Sequence, residues 1–423
     1  MKKSLMSTML FAAAFFVACT SNEEIAESRG GSGQDAIEID VPVSLSDVPI
    51  TFGAVGGVTR SSITADEMEC KDLGIYCLAR KGIDGTADKN LQWNMSSAST
   101  TNNQLCRWLT NEPAEIVWTG TASRLRWKNE EEGADEHFYP SATSSYKYAY
   151  TFAAYHPMIS DEHIEIATNS IYLNFTNLDG SQDVFTSVTE APTDEATVGI
   201  EGYGAAYFRN GGTKTPFFNL KHRLSQLIFN LKLNDTYTGD ELWVDSIYIT
   251  SLPDSVRIPL ITFTKEQTTP VTVTINEPNY LYVHCTKTKT YYLRDFNDES
   301  LRKNYENYKL TTSSQQIGDC IMIPPMQPGY MKYNGVRWTN ATAKQNLMTL
   351  KIRVRLRDIE NNYYVYAASV APPENGWKQG KKYNINLTIT PKGATNIAMA
   401  AEAQLIDWED DTDTFESNYD IGE

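Results

Sequence analysis

Leu350-Lys351-Ile352-Arg353-Val354-Arg355-Leu356-Arg357 alternates an aliphatic side chain with a cation from end to end. A period of two puts Leu350, Ile352, Val354 and Leu356 on one face of a strand and the four cations on the other, whereas a helix spaces its apolar residues three and four apart. The stretch reads as a strand with one face in a core. Its row of cations invites an anionic ligand such as a sulfated glycan or lipopolysaccharide. The plainer reading is a solvated sheet face paired with Glu or Asp on neighbouring strands.

The same grammar extends in both directions. Downstream, Tyr383, Ile385, Leu387 and Ile389 alternate, followed by an Ala-rich run at 397–403 and Leu405-Ile406-Asp407-Trp408. Upstream, strands are expected at Val271/Val273/Ile275, Val256/Ile258/Leu260 and Ile247-Tyr248-Ile249, with turns between them, and at Leu227/Phe229/Leu231/Leu233. Ile171/Leu173/Phe175, Tyr146/Tyr148/Tyr150/Phe152 and Gly74 to Ala79 complete the series, while Tyr291 to Ile317 reads as a long polar loop. Tyr is abundant (24 residues), and 41% of the 423 residues are hydrophobic against 21% charged, which suits an ordered all-β protein. Many short strands without helical spacing predict β-sandwiches. A change of register after Asn234-Asp235 puts a domain boundary there, giving an N-terminal domain over 36–235 and a C-terminal domain over 236–423.

The first sixty residues have a different character. Lys2 and Lys3 precede an apolar run from Leu5 to Ala18, a layout that reads as an export signal over 1–18 and is too short to span a bilayer with about 20 apolar residues. Residues 19–35 are polar and Gly/Ser-rich and read as a flexible tether. Next, Ile37, Ile39, Val41, Val43 and Leu45 alternate with polar residues and Pro42, which marks an edge strand because proline has no N–H to donate. Ile50-Thr51-Phe52 follows, then Gly53 to Gly57 and Thr59-Arg60, a loop open to proteases.

Charge and chemistry narrow the function. A net charge of -16 argues against nucleic acid, whose phosphates need a basic face. Cys70, Cys77, Cys106, Cys285 and Cys320 are too sparse and odd in number for a disulfide framework, although Cys70 and Cys77 are near enough in sequence to suggest a bridge. Nucleophile elbows, zinc-binding helix motifs and phosphate-binding glycine loops are absent from the sequence, so no enzyme activity and no cofactor are expected. His156 and His163 are misplaced for a metal pair, and His222 reads as a hydrogen-bonded structural histidine. Asp407, Glu409, Asp410, Asp411 and Asp413 lack the turn glycine of a Ca²⁺ loop and read as a solvated tail.

Five stretches together resemble the fimbrillins of Bacteroidetes. They are Ala18-Cys19 with the acidic Glu23-Glu24 behind it; Ile50-Thr51-Phe52 leading to Thr59-Arg60; Tyr150 to Pro157; Leu220 to Phe229 around His222; and Gly376-Trp377 through Gly380 to Ile389, with the late Trp408. The first resembles a bacterial lipobox, with Phe16 where Leu is usual; an ordinary secretory signal with an incidental Cys19 is the alternative. The resemblance implies two tandem transthyretin-like β-sandwich domains. It implies an outer-membrane, surface-exposed lipoprotein acylated at Cys19 and cut after an Arg in the N-terminal segment. Removing the plug strand (Ile37, Ile39, Val41, Val43, Leu45) then opens a groove that a strand of the next subunit fills.

On that basis Arg60 is the expected cleavage site. Arg29 is the second candidate, although cutting there frees the protein without removing the strand. The candidate donor strand includes Leu405, Ile406 and Trp408, and the acidity beyond it suits a dry groove poorly, which leaves room for a tip or accessory subunit. The expected partners are other fimbrial subunits, the outer membrane and a host or bacterial receptor. The competing reading is a surface glycan-binding lipoprotein using Trp93, Trp108, Trp118 and Trp127 as stacking platforms.

Overall fold

The computed structural model describes residues 45–52, 70–83, 106–118, 123–128, 137–140, 146–167, 170–192, 202–266, 272–293, 308–327, 331–333, 336–337, 349–373, 376–391 and 398–406. All lie in one compact unit, Glu38–Glu423. The fold is all-β. Among the described residues the helical content is one α-helix, α1 (Ala205–Arg209), and one 3₁₀ turn, Asp161–His163.

Four sheets account for the strands. A two-stranded sheet pairs β1 (Leu45–Pro49) with β5 (Phe138–Pro140). A six-stranded sheet runs in the order β10 (Lys221–His222), β9 (Phe185–Val188), β6 (Tyr146–His156), β2 (Cys70–Ile83), β3 (Cys106–Trp118) and β4 (Ser123–Trp127). A four-stranded sheet has the order β15 (Gln315–Ile323), β11 (Ser225–Leu233), β20 (Lys382–Thr390) and β21 (Ala398–Ile406). The largest sheet orders β17 (Val336–Arg337), β16 (Met331–Tyr333), β14 (Tyr282–Tyr292), β12 (Leu242–Glu266), β18 (Leu350–Asp358) and β19 (Tyr363–Val370). To this sheet β12 adds β13 (Thr272–Asn276) and β8 (Ser170–Phe175), and β8 pairs with β7 (Ile164–Ala167).

Alternation explains the layers. Leu350, Ile352, Val354 and Leu356 of β18 and Tyr383, Ile385, Leu387 and Ile389 of β20 are all buried and belong to one core between the large and four-stranded sheets. A second core gathers Ile50, Phe52, Leu73, Ile75, Cys77, Phe152, Phe185 and Phe218. The six-stranded sheet serves both. On β2, Ile75 and Cys77 face the second core while Tyr76 and Leu78 join the first; on β6, Phe152 and Ala154 divide from Ala153 and Tyr155 in the same way. Apolar residues at consecutive positions therefore mean a strand buried on both faces.

Three details depart from the sequence expectation. The strands expected at Ile247-Ile249 and Val256-Leu260 are one strand, β12, which crosses Leu252-Pro253-Asp254 through irregularities rather than a turn. There Ser251 takes a left-handed φ of 62°, and the Pro253 carbonyl accepts a 2.6 Å hydrogen bond from the Tyr291 hydroxyl, so local bulging absorbs the proline. Tyr291 is accordingly fully buried in β14 and not in a loop. Finally, β8 and β11 both precede Asn234-Asp235, yet β8 pairs with β12 and β11 runs parallel to β20.

The turn between β18 and β19 is held by one carboxylate. Asp358 accepts hydrogen bonds from the backbone N–H groups of Glu360 (2.9 Å) and Asn362 (2.8 Å), the Asn362 side chain (3.0 Å) and the Tyr364 hydroxyl (2.9 Å). Burial opposes its ionisation, but the donors from Asn362, Tyr364 and Glu360 outweigh it and hold the carboxyl below its ordinary value. A depressed pKa gives stability that is present above the unfolded value of about 4 and is lost as the pH falls through the folded value. The protection of the Glu360 and Asn362 amides, taken relative to the intrinsic exchange rate at the same pH, should therefore fall on acidification below about pH 4, and Asp358→Asn should show lower protection already at neutral pH. Exchange in that variant equal to wild type at both pH values would contradict the assignment.

Candidate functional site

The site with the clearest functional geometry is the place where the N-terminal segment docks. β1 pairs antiparallel with β5, Leu45 opposite Pro140 and Pro49 opposite Phe138. The chain then turns inward. The Ile50 N–H donates to the His137 carbonyl at 2.6 Å, and the Trp127 indole N–H donates to the Ile50 carbonyl at 3.1 Å. These bonds satisfy both backbone groups of a residue whose side chain is fully buried.

Phe52 is the anchor. Its ring lies 5.2 Å from Trp127, 5.3 Å from Phe152 and 5.3 Å from Phe218, edge-on to the first two. Beneath it Tyr139 packs at 5.5 Å from Tyr150 and 5.7 Å from Phe208 of α1, and burial holds the Tyr139 hydroxyl well above its ordinary pKa. The Trp127 ring also meets His137 at 4.4 Å. The seat is thus an aromatic trough built by β4, β5, β6 and the 205–218 segment, all later in sequence than the residues that fill it. Burying Ile50 and Phe52 there contributes about 1.5–3 kcal/mol each.

The remaining sequence-derived positions sort as follows. Leu45 begins β1. Cys19, Arg29, Ile37, Ile39, Val41, Val43, Arg60 and Trp408 lie outside the described residues. Leu405 and Ile406 end β21, opposite Tyr383 and Lys382, and β21 is antiparallel to β20 along its whole length. Of the tryptophan platforms, Trp127 is committed to Phe52 and Ile50. Trp108 and Trp118 fall in β3 without a described side chain, and Trp93 lies outside the described residues.

Several chemical readings are also settled. Cys70 and Cys77 sit seven positions apart on β2, about 23 Å at 3.3 Å per residue, far beyond the ~7 Å Cα limit for a disulfide. Cys70 instead places its sulfur 3.0 Å from His156 Nδ1. Burial pushes the Cys285 thiol up to about 11, so it is protonated and unreactive at neutral pH. His222 is buried with Nδ1 2.9 Å from Asp183, the structural role expected of it. Among the described residues no group of three or more His, Cys, Asp or Glu side chains is arranged to hold a metal ion.

The fimbrillin-like stretches meet in space. Ile50-Phe52 packs on the Tyr150–Pro157 stretch through Phe152, and Leu220–Phe229 joins Gly376–Ile389 through the parallel pair of β11 and β20. Sequence reasoning singled out the alternating run at 37–45 as the plug. It missed that Ile50 and Phe52 are the buried anchors, although an aliphatic and an aromatic residue two apart, just before a glycine-rich loop, carried that signal.

No protein family and no curated protein matches the chain. Among solved structures it is similar to a candidate cell adhesion protein from Bacteroides uniformis (13% identity, 85% of this chain and 97% of that one, TM-score 0.41). A second candidate cell adhesion protein, from Bacteroides ovatus, gives 11% identity, 86% and 98% coverage and a TM-score of 0.41. The tip fimbrial protein Mfa3 from Porphyromonas gingivalis, with a C-terminal truncation, gives 10% identity, 85% and 99% coverage and a TM-score of 0.32. At these scores no residue role transfers from them.

Proposed function

We propose that this chain is a fimbrillin-like subunit of a surface fimbria, held shut before assembly by its own N-terminal segment. The observation that carries the reading is the seating of Ile50 and Phe52 in the aromatic trough, with Arg60 eight positions after Phe52 in the sequence. Cleavage after Arg60 detaches everything before it, including β1. Among the described residues β5 pairs with β1 and no other strand, so its edge is then left with unpaired backbone groups beside an emptied apolar trough. An open edge next to an apolar groove is a template for a strand from another chain. Cys19, acylated, holds the precursor at the outer membrane until the cut, and Arg29 offers release from the lipid without opening the trough.

Donation is a separate matter. To donate Leu405 and Ile406, β21 must first leave its register with β20. That cost, together with the acidic residues Glu409 to Asp413, favours an accessory or tip subunit that accepts a strand without giving one. The two cores support two β-sandwich domains, with β7, β8 and β11 assigned to the second through their pairing. No observation favours the tryptophan-platform reading.

The test is limited cleavage of the purified lipoprotein by an arginine-specific protease, followed by N-terminal sequencing and electrophoresis without boiling. The expected result is a new terminus at Ser61 and a ladder of assemblies with a partner subunit present; Arg60→Ala should abolish both. A chain that loses residues 20–60 completely and neither polymerises nor captures a partner strand would sink the proposal.

A further inference from the structure

The outer face of the large sheet carries the cation row that opened the sequence, and its surroundings are unusual. Three of the five exposed large apolar side chains among the described residues, Tyr292 (54%), Tyr363 (50%) and Val365 (52%), lie on this one face. The pairing sets them in cross-strand rows. Tyr292, Tyr248 and Arg353 line up across β14, β12 and β18, with the two tyrosine rings 5.3 Å apart. Trp243, Arg357 and Tyr363 line up across β12, β18 and β19, and Val365 stands opposite Arg355 between the rows.

The cations are not equivalent. Arg355 is bonded to Asp245 at 2.9 Å with its guanidinium over Tyr363 at 4.1 Å, and Arg357 donates to Asn361 at 2.9 Å with Trp243 beneath it. Lys351 and Arg353 are exposed, and among the described residues no carboxylate pairs with either. Among the described residues the expected pairing of the row with neighbouring acids therefore holds at Arg355 and at no other of the four cations. Two free cations beside exposed aromatic rings, on a chain of net charge -16, make a local exception to the charge of the whole.

We propose that this face binds an anionic polysaccharide. Alternate residues along β18 stand about 6.6–6.8 Å apart, so Lys351 and Arg353 meet successive charged groups of an extended polymer. Tyr292, Tyr248 and Tyr363 offer ring faces to the C–H surfaces of the sugars. A polyphosphate is disfavoured because it has no C–H sugar faces to lay against the rings of Tyr292, Tyr248 and Tyr363. The inference stands without strand release and fails separately from it: one is read by saccharide binding, the other by cleavage and assembly.

The experiment is calorimetric titration of the full chain at 50 and 300 mM salt with heparin oligosaccharides, hyaluronate, dextran and poly-glutamate. Binding of heparin supports a sulfated ligand and binding of hyaluronate alone a carboxylated one. Higher salt should weaken the supporting interaction several-fold, because the charges are exposed. Lys351→Glu with Arg353→Glu should weaken it by at least about tenfold, and Tyr292→Ala should weaken it with an unchanged salt dependence; both sites are exposed, and equal melting temperatures would establish intact folding. The proposal is overturned if neither anionic saccharide binds at 50 mM salt, if dextran binds as well as heparin, or if poly-glutamate binds more tightly than both saccharides. It is also overturned if binding appears only after Asp407, Glu409, Asp411 and Asp413 are neutralised, since the face would then be occupied by the chain's own acidic segment.

Discussion

Phe52→Ala should destabilise the N-terminal core by about 3–5 kcal/mol, the usual cost of truncating a buried aromatic. Phe52 is 8% exposed and meets three rings at 5.2–5.3 Å, so truncation leaves a void walled by Trp127, Phe152 and Phe218. Rigid aromatic walls relax little, which places the cost toward the upper part of that range. The loss should register twice: as a lower denaturant midpoint for the transition reported by Trp127, and as faster protease cleavage at Arg60 in the otherwise native chain. Dye binding to exposed apolar surface should rise in parallel. Phe217→Ala is the control, because Phe217 is adjacent to the trough wall yet 47% exposed, and surface truncations usually stay within about 0.5 kcal/mol. If Phe52→Ala costs less than about 1 kcal/mol, far below the buried-aromatic range, the segment is not seated in the trough and the closed-precursor reading falls with it.

Much of the strand content was legible because one buried face imposes a period of two. β18, β20 and β8 follow the alternation that Leu350, Tyr383 and Ile171 begin, and β11 follows it from Phe229 onward. Where a strand is buried on both faces the period disappears, and Ile75-Tyr76-Cys77-Leu78 could be read only as an apolar run. Pairing was hidden for another reason. Whether β11 joins β20, more than 150 residues later, depends on which edges remain free after the local hairpins form, and no local pattern carries that information. The bulged course of β12 was hidden too, because Leu252-Pro253-Asp254 has the composition of a turn and the Tyr291 hydroxyl that bonds the Pro253 carbonyl lies 38 residues away. The candidate site was half legible. Ile50 and Phe52 drew attention through their place before Arg60, but the trough that receives them is assembled from four separate stretches.

Trp377→Ala should be the most damaging single change in the larger core, at about 3–5 kcal/mol. Trp377 is fully buried, its ring stands edge-on to Tyr383 at 5.0 Å, and its backbone N–H, which the substitution leaves in place, donates to the Met326 carbonyl at 3.1 Å. Tyr383 in turn accepts a 2.8 Å bond from the Lys378 N–H, so the indole and the phenol together fix the turn that launches β20. That turn is also tied sideways: Ser225 Oγ donates to the Lys378 carbonyl at 2.8 Å, and the Gly380 N–H donates to the Leu224 carbonyl at 2.9 Å. Gly380 needs its positive φ of 61° and a missing side chain, because a Cβ would stand 3.1 Å from the His222 carbonyl. Removing the indole therefore loosens the parallel pairing of β11 and β20, which joins the His222 and Trp377 stretches, and not merely a packing contact. Amide exchange should show this. In Trp377→Ala, Gln226 to Leu233 and Asn384 to Ile389 should lose protection together, while β2 and β6 keep theirs. Trp377→Phe should recover part of the stability by refilling the apolar volume against Tyr383. Uniform loss of protection across both cores would show instead that they unfold as one unit, and the assignment of two separate domains would have to be abandoned.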